Sequence, residues 1–450
     1  MNRVAKRATV VIVLTVLLLA GLSFFVAEYI TEAADWAVFP GSPHVYYAGN
    51  IGSGVVTDTE GVLLLDMEQG RVYSSSEAIR KATLHWIGDR NGSISAPAVP
   101  HYASQLSGYD LLTGMYSFDG TGGVAKLTLS ARVQTAALEA LGSHKGTVAV
   151  YNYRTGAILC AVTTPTFDPD QVPDIENDPQ GLYEGAYMNR FTQSAYTPGS
   201  IFKIVTLAAA LDSLPDAESM QFTCTGSRSY GVDRITCETA HGSQSLKQAF
   251  CNSCNCAFAE LAEKIGAQTL ARYAEKFGAV GSVTFDGITT ASGNFEPAAD
   301  AVNLGWSAIG QYTDLINPCA FLTFVGAIAG GGKGAVPYVV EQAGSYRAGV
   351  TETDRILSQA DAQTIREYMR YTVENKYGDE NFPGLTVCAK TGTAEMDGEK
   401  ASNAMFAGFV DSEDYPLAFI VCVEEGGYGR STCVPIASRV LAACVAAMDG

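Results

Sequence analysis

The sequence predicts an α+β fold: an antiparallel sheet flanked by helices, with a helical block inserted between its early and late strands. Three observations carry this reading. Apolar runs of strand length come early, at Thr147–Asn152 and Ala157–Thr163, on either side of Tyr153-Arg154-Thr155-Gly156, the shape of a β-hairpin. Strands return late, at Thr386–Glu395, Ala404–Val410 and Leu417–Glu424, the last two joined by a turn at Ser412–Pro416. Between the two groups, apolar residues fall in helical runs. Strands, then a helical insertion, then strands again is an α+β order.

The chain of 450 residues is 47% apolar and 17% charged, enough for two or three domains with a substantial core. Its net charge of −18 repels phosphate and argues against a nucleic-acid partner. There is no GxxxxGK[ST] loop, no HExxH helix and no strict GxGxxG loop, so no cofactor is expected.

The elements follow in order. Arg3, Lys6 and Arg7 precede Ala8–Ala27, a stretch of 20 residues without a charge, and Glu28, Glu32 and Asp35 follow it. That length spans a bilayer as a helix, and the basic flank predicts the N-terminus inside and the remainder outside. A cleaved signal peptide is the alternative, but its apolar core is shorter, about 7–15 residues. Residues 1–27 thus read as a cytoplasmic stub and anchor, and residues 28–125 as a small pedestal. In the pedestal, Gly49–Val56 and Gly61–Asp66 resemble short strands, Ser74–Gly88 a helix and Tyr109–Gly123 a loop. Residues 126–450 form the main domain. Leu129–Leu141 is amphipathic, with Val133, Ala137 and Leu141 on one stripe. Beyond the hairpin, a Pro- and Asp-rich loop reaches Gln193. The run from Ser200, Ser245–Ile265, Ala267–Phe277, Pro318–Ala329 (stopped by Gly330-Gly331-Gly332), Asp361–Val373 and Pro435–Met448 read as helices, and Thr284–Asp300 as irregular.

Chemistry centres on Tyr196–Leu211, YTPGSIFKIVTLAAAL. Ser200 and Lys203 are spaced i, i+3, on one face of a first helical turn. A serine hydroxyl needs a base to take its proton, and lysine serves only if burial or a neighbouring cation lowers its pKa. Ile201, Phe202, Ile204 and Val205 offer an apolar setting. The bland alternative is an N-capping serine and a solvated lysine. Two further patterns bear on the choice: Ser253-Cys254-Asn255, and Lys390-Thr391-Gly392-Thr393 on an apolar strand. Alone each is weak. Ser292-Gly293-Asn294 is also S-x-N, Arg154-Thr155-Gly156 imitates K-T-G at a hairpin tip, and a lysine on an edge strand is ordinarily solvated.

The ordered set S-x-x-K, S-x-N, K-T-G resembles that of penicillin-binding proteins and class A β-lactamases. With one apolar anchor ahead of it, the chain resembles a class B, monofunctional penicillin-binding protein from about residue 126 onward. The stretches LTLSARVQTAALEAL, MNRFTQSAYTPGSIFK, HGSQSLKQAFCNSCNCAFAE, AIGQ and FAGFVDSEDYPLAFIV carry the likeness too. The resemblance implies a penicillin-binding, β-lactamase-like transpeptidase domain and a peptidoglycan D,D-transpeptidase. Ser200 would attack the penultimate D-Ala of a stem peptide ending in D-Ala-D-Ala, and Lys203 would accept its proton. Ser253 would relay a proton to the leaving amine, and Asn255 would hold Lys203 and substrate. Lys390, Thr391, Gly392 and Thr393 would receive the substrate carboxylate and backbone, and the N–H groups of Ser200 and Thr393 would form the oxyanion hole. β-Lactams would acylate Ser200. Implied partners are stem peptides, the membrane and a polytopic SEDS-type glycan polymerase. A D,D-carboxypeptidase or β-lactamase-like hydrolase and an inactive wall-synthesis scaffold are the alternatives.

Eleven cysteines, an odd number, leave at least one outside any intrachain disulfide. Cys237, His241, Cys251 and Cys254 have a zinc-like spacing, C-x3-H-x9-C-x2-C. Cys254 is the middle residue of the S-x-N motif and Cys251 lies two residues ahead of it, where a coordinated ion would obstruct the cleft, so no metal is assigned. A Cys224–Cys237 disulfide stays open. His44, His85, His101 and His144 form no cluster.

Overall fold

A computed structural model describes residues 2–449 apart from 40–41, 43–44, 48–49, 69, 111–114, 117–121, 297, 299 and 396–400. His44, Gly49 and most of the Tyr109–Gly123 loop lie outside the described residues.

The central sheet has five strands in the order Ile158–Thr164, Gly146–Asn152, Leu417–Val423, Asn403–Val410, Val387–Ala394, and every pairing is antiparallel. Every residue of Asn403–Val410 and Leu417–Val423 is buried. A sheet covered on both faces needs such unbroken apolar runs rather than alternation. On one face Phe406, Phe419 and Val421 share a core with Val133, Ala137 and Leu141 and with Val440 and Leu441 of the last helix. On the other, Met405, Ala407 and Ile420 share a core with Ile201, Val205, Phe321 and Val325. Caps set the helix starts: Ser130 Oγ accepts from Val133 N–H, so the helix expected from Leu129 begins at Ala131, and Asn317 caps Pro318–Ala329, which starts as expected.

Two expected helices differ, besides the run from Ser200. Ser245–Ile265 is two helices, Leu246–Cys251 and Asn255–Ile265, broken at Ser253, whose φ is 51°. The last helix starts at Gly429, not Pro435. Proline favours a first turn because it donates no N–H. Here the turn before it is already closed by Thr432, which donates its N–H to Tyr428 O and its hydroxyl to Gly426 O.

The N-terminal helix runs from Asn2 to Ala37, and within its Arg3–Ala33 stretch an 18-residue window reaches a mean hydropathy of 2.9 with no residue of that window buried in protein. A second, six-stranded sheet joins the 28–125 segment to the rest. Val55–Thr57 pairs in parallel with Val124–Leu127, which in turn pairs with Val340–Ala343. Arg80 grips Asp168 through two hydrogen bonds of 2.7 and 2.6 Å, and Trp86 Nε1 donates to Ala161 O of the central sheet at 2.7 Å.

Tyr151 faces the backbone of Gly326, where a Cβ would stand 1.7 Å from its Oη. That hydroxyl is buried with no hydrogen-bond partner among the described residues. Stranding a buried hydroxyl costs about 1–3 kcal/mol, so Tyr151→Phe is expected to stabilise the fold by about 1 kcal/mol. A rise in the urea midpoint at unchanged slope would report this; a fall would show that the hydroxyl has a role.

Candidate active site

Gly199–Phe202 forms a 3-10 turn and the α-helix starts at Lys203, running to Ser213. Ser200 therefore does not cap the helix. Its hydroxyl turns sideways, 2.7 Å from Lys203 Nζ, and accepts from Ser253 Oγ at 2.9 Å. The turn is wedged between two backbones. Gly199 has φ +55°, and a Cβ there would lie 2.5 Å from Thr393 O; its N–H donates to Gly310 O at 2.8 Å. A Cβ on Gly310 would lie 2.1 Å from Gly199 O. That close approach gives a physical reason for glycine in the Ala308–Gln311 stretch.

The break at Ser253 turns the local chain toward Lys203. Cys254 takes over as N-cap of the next helix, its Sγ accepting from Ala257 N–H. Lys203 Nζ then meets Ser253 O at 3.0 Å, Ser253 Oγ at 3.0 Å and Asn255 Oδ1 at 2.7 Å. Lys203 is fully buried, with the Phe258 ring centroid 5.9 Å from its Nζ. Burial first, and the nearby Lys390 charge second, hold its pKa well below the ordinary lysine range. A neutral amine has two N–H donors and one lone pair. The carbonyls of Ser253 and Asn255 can only accept, so they take the donors. The lone pair is left for a hydroxyl proton, and Ser200 offers one at 2.7 Å.

Lys390 lies on Val387–Ala394, an edge strand of the central sheet. It is 1% exposed, so the solvated-lysine reading fails. Its Nζ donates to Ser253 Oγ at 3.1 Å and to Thr391 O at 3.0 Å. Burial pushes its pKa down to about 7. Ser200, Ser253, Asn255, Thr391 and Thr393 are only partly buried, so a ligand can reach them.

The structure thus brings Ser200, Lys203, Ser253, Asn255 and Lys390 into one hydrogen-bonded group, with Thr391, Gly392 and Thr393 on the strand beside it. It adds two residues that the sequence reading missed. Tyr377 Oη receives the Thr391 N–H at 2.8 Å and lies 2.9 Å from Thr391 Oγ1. Gly429, first residue of the last helix, donates its N–H to Thr393 Oγ1 at 3.4 Å and packs on the Gly392 carbonyl, where a Cβ would stand 2.4 Å away. Only the glycine hinted at its role. The decoys are structural: Asn294 Nδ2 donates to Thr313 O, and Gly156 supplies a φ of +91° at the hairpin tip.

The cysteine expectations need correction. The ligand atoms within 4.8 Å of one another belong to Cys224, Cys237, His241 and Cys254; Cys251 is not in the group. Cys251 ends one helix, and the break at Ser253 separates it from Cys254. The Cys224 and Cys237 sulfurs are 3.8 Å apart, against about 2.05 Å in a disulfide.

Residues 146–442 match the family described as the penicillin binding protein transpeptidase domain. The chain is 29% identical over 374 residues to the peptidoglycan D,D-transpeptidase PbpA of Mycolicibacterium smegmatis, covering 75% of this chain and 74% of that protein. Among solved structures, the D,D-transpeptidase domain of an Eggerthella lenta peptidoglycan glycosyltransferase superposes with a TM-score of 0.75 at 26% identity, covering 88% of this chain and 98% of that one. The penicillin G acyl-enzyme complex of Mycobacterium tuberculosis penicillin-binding protein A superposes with a TM-score of 0.72 at 25% identity, covering 88% and 99%.

Gly392 sets the spacing between strand and serine. A Cβ there would stand 2.6 Å from Pro198 O and 3.1 Å from Ile201 N, both on the backbone of the Ser200 turn. Gly392→Ala is expected to slow acylation of Ser200 by fluorescent penicillin by about 100-fold, the scale of a 1 Å misplacement, while the far-ultraviolet circular dichroism stays unchanged. Labelling at the parental rate would show that the contact does not set the geometry.

Proposed function

Because the chain belongs to the penicillin-binding protein transpeptidase family, we propose that it crosslinks peptidoglycan as a serine D,D-transpeptidase, with Ser200 the residue acylated. The observation that carries the assignment is the buried Lys203 amine 2.7 Å from Ser200 Oγ, with the carbonyl oxygens of Ser253 and Asn255 at 3.0 and 2.7 Å from it.

Ser200 Oγ attacks the carbonyl carbon of the penultimate D-Ala, and its proton passes to the Lys203 lone pair. The oxyanion is held by the N–H groups of Ser200 and Thr393, each donor worth about 3–4 kcal/mol in comparable sites. The C–N bond breaks, and the terminal D-Ala leaves as an amine after taking a proton through Ser253, which touches Ser200, Lys203 and Lys390 at once. The amine of a second stem peptide then attacks the ester. It gives up its proton along the same path, leaving a new peptide bond and free Ser200. Lys390 supplies positive charge for the substrate carboxylate. Val387–Ala394 is an edge strand, and with Tyr377 already holding the Thr391 N–H an extended peptide would pair at its Thr393 end, where Gly392 keeps the strand close to the serine. In a β-lactam the severed amide nitrogen stays tethered, so the acyl-enzyme persists and penicillin inhibits.

The exposed apolar helix anchors the protein. Arg3, Lys6 and Arg7 ahead of the span favour a cytoplasmic N-terminus and an extracytoplasmic catalytic domain. The lipid-facing helix is the surface on which a SEDS-type glycan polymerase would dock.

Ser200→Ala is expected to abolish labelling by fluorescent penicillin. With a pentapeptide donor and an amine acceptor, the parent chain should release D-Ala and form crosslinked product. D-Ala release with no crosslinked product would favour the carboxypeptidase reading. No Ser200-dependent label would favour the scaffold.

The acylation rate has a predicted pH profile. Lys203 must be neutral to accept a proton, so the rate rises as pH climbs through its depressed pKa. Lys390, which faces Lys376 and Cys251 as well as Ser253, loses its charge above about 7. The second-order rate with a carboxylate-bearing β-lactam should therefore fall on the alkaline side, and the fall should be absent with a neutral activated ester. An alkaline fall equal for both reagents would mean that Lys390 does not act through the carboxylate.

A further inference from the structure

The thiols gathered behind the S-x-N motif take no part in the acyl chemistry. Cys224 ends the strand Gln221–Cys224, Cys237 follows Asp233–Thr236, His241 precedes Gly242–Ser245, and Cys254 caps Asn255–Ile265. Their four ligand atoms lie within 4.8 Å of one another. Cys237 Sγ is 3.8 Å from Cys224 Sγ and 3.8 Å from Cys254 Sγ. Sulfurs held about 2.3 Å from a tetrahedral zinc stand about 3.8 Å apart. A second observation is independent of the thiols: His241 Nδ1 is buried and has no hydrogen-bond partner among the described residues, although buried polar atoms are ordinarily satisfied. Around these atoms, outer contacts suited to bound thiolates are in place. Gly226 N–H donates to Cys224 Sγ at 3.4 Å, and Ala257 N–H donates to Cys254 Sγ at 3.4 Å. A fifth thiol, Cys256, lies 3.6 Å from Cys237 and donates to Ile235 O, outside the group of four.

We propose that Cys224, Cys237, His241 and Cys254 form a Cys3His site for Zn2+. Four protein ligands close the coordination sphere, which marks a structural rather than a catalytic ion, and thiolate ligands select against Mg2+ and Ca2+. Binding displaces one proton from each of the three thiols and takes His241 as the neutral imidazole. The ion positions the active site. Cys254 sits between Ser253 and Asn255, and Cys237 follows Thr236, whose carbonyl accepts from Asn255 Nδ2 at 2.8 Å. Two ligands therefore lie next to the two ends of the hydrogen bond that aims Asn255 at Lys203. Strand pairing of Cys224 with Gly242 brings the third ligand beside His241.

The full-length protein, purified in detergent under reducing conditions without chelator from zinc-supplemented cells, should carry about one zinc per chain by plasma mass spectrometry. Exchange with Co2+ should give thiolate-to-cobalt charge-transfer bands and intense tetrahedral d–d bands. Cys224→Ser and Cys237→Ser should each lower bound zinc at least about tenfold, and Cys251→Ser should retain it. Substoichiometric zinc in the parent chain, a Cys224–Cys237 disulfide in peptide maps, or loss of zinc on Cys251→Ser would overturn the assignment. If the serine variants fail to fold, the parent chain's stoichiometry and cobalt spectrum decide alone. Penicillin labelling of the same samples is a separate readout: Ser200-labelled protein without metal would sink the zinc site and leave the transpeptidase assignment standing.

Discussion

A fully buried lysine amine held beside a serine is the constraint on which the rest of this structure depends. An ammonium in the place of Lys203 Nζ would have no lone pair and would cost heavily in desolvation. Burial first, and the Lys390 charge second, hold the Lys203 pKa well below the ordinary lysine range. The fold supports this from three directions: the Ser200 turn, the break at Ser253, and the edge strand carrying Lys390. Each departs from regular secondary structure or packs unusually closely. Ser253 holds φ 51°, a conformation that costs a non-glycine residue of order 1–3 kcal/mol. That cost is offset by contacts to two lysines and a serine.

The double-faced sheet explains how three distant segments can be held to such tolerances. Two fully buried central strands leave no freedom of register, since a shift by one residue would exchange the Phe406 face for the Met405 face. The Lys390 strand inherits that register from Asn403–Val410, where Lys390 pairs with Ala407. Its outer edge is left without a strand partner in the sheet, and that is the edge the substrate would use.

Much of this was legible in the sequence, and the parts that were not share a cause. Ser200 and Lys203 stand out because their spacing is local, and Lys390 because it opens the short Lys390-Thr391-Gly392 pattern. Pro318–Ala329 and the three late strands are bounded by their own caps and turns. The break at Ser253 is invisible because an apolar run reads through it, and nothing in a serine announces a positive φ. The start at Gly429 is hidden behind Pro435. Tyr377 reaches Thr391 from a turn that follows the Gln359–Thr372 helix, a contact no periodicity encodes. The apolar setting of Lys203 also includes Phe258, from another helix, beyond its sequence neighbours. Among the cysteines, the short C-x2-C spacing pointed to Cys251. The ligand that geometry supplies is Cys224, distant in sequence and delivered by strand pairing.

The protonation state of Lys203 in the resting enzyme decides the account most directly. Lysine side chains labelled with 13C at Cε and 15N at Nζ can be titrated by NMR, with the Lys203 signal assigned by its loss in Lys203→Met and separated from Lys390 by a Lys390→Arg spectrum. The structure predicts a Lys203 resonance that titrates well below the ordinary lysine value of about 10.4 and is neutral in the pH range where Ser200 is acylated. A Lys203 signal that stays protonated throughout that range would contradict the central claim, because the amine could not then take the serine proton.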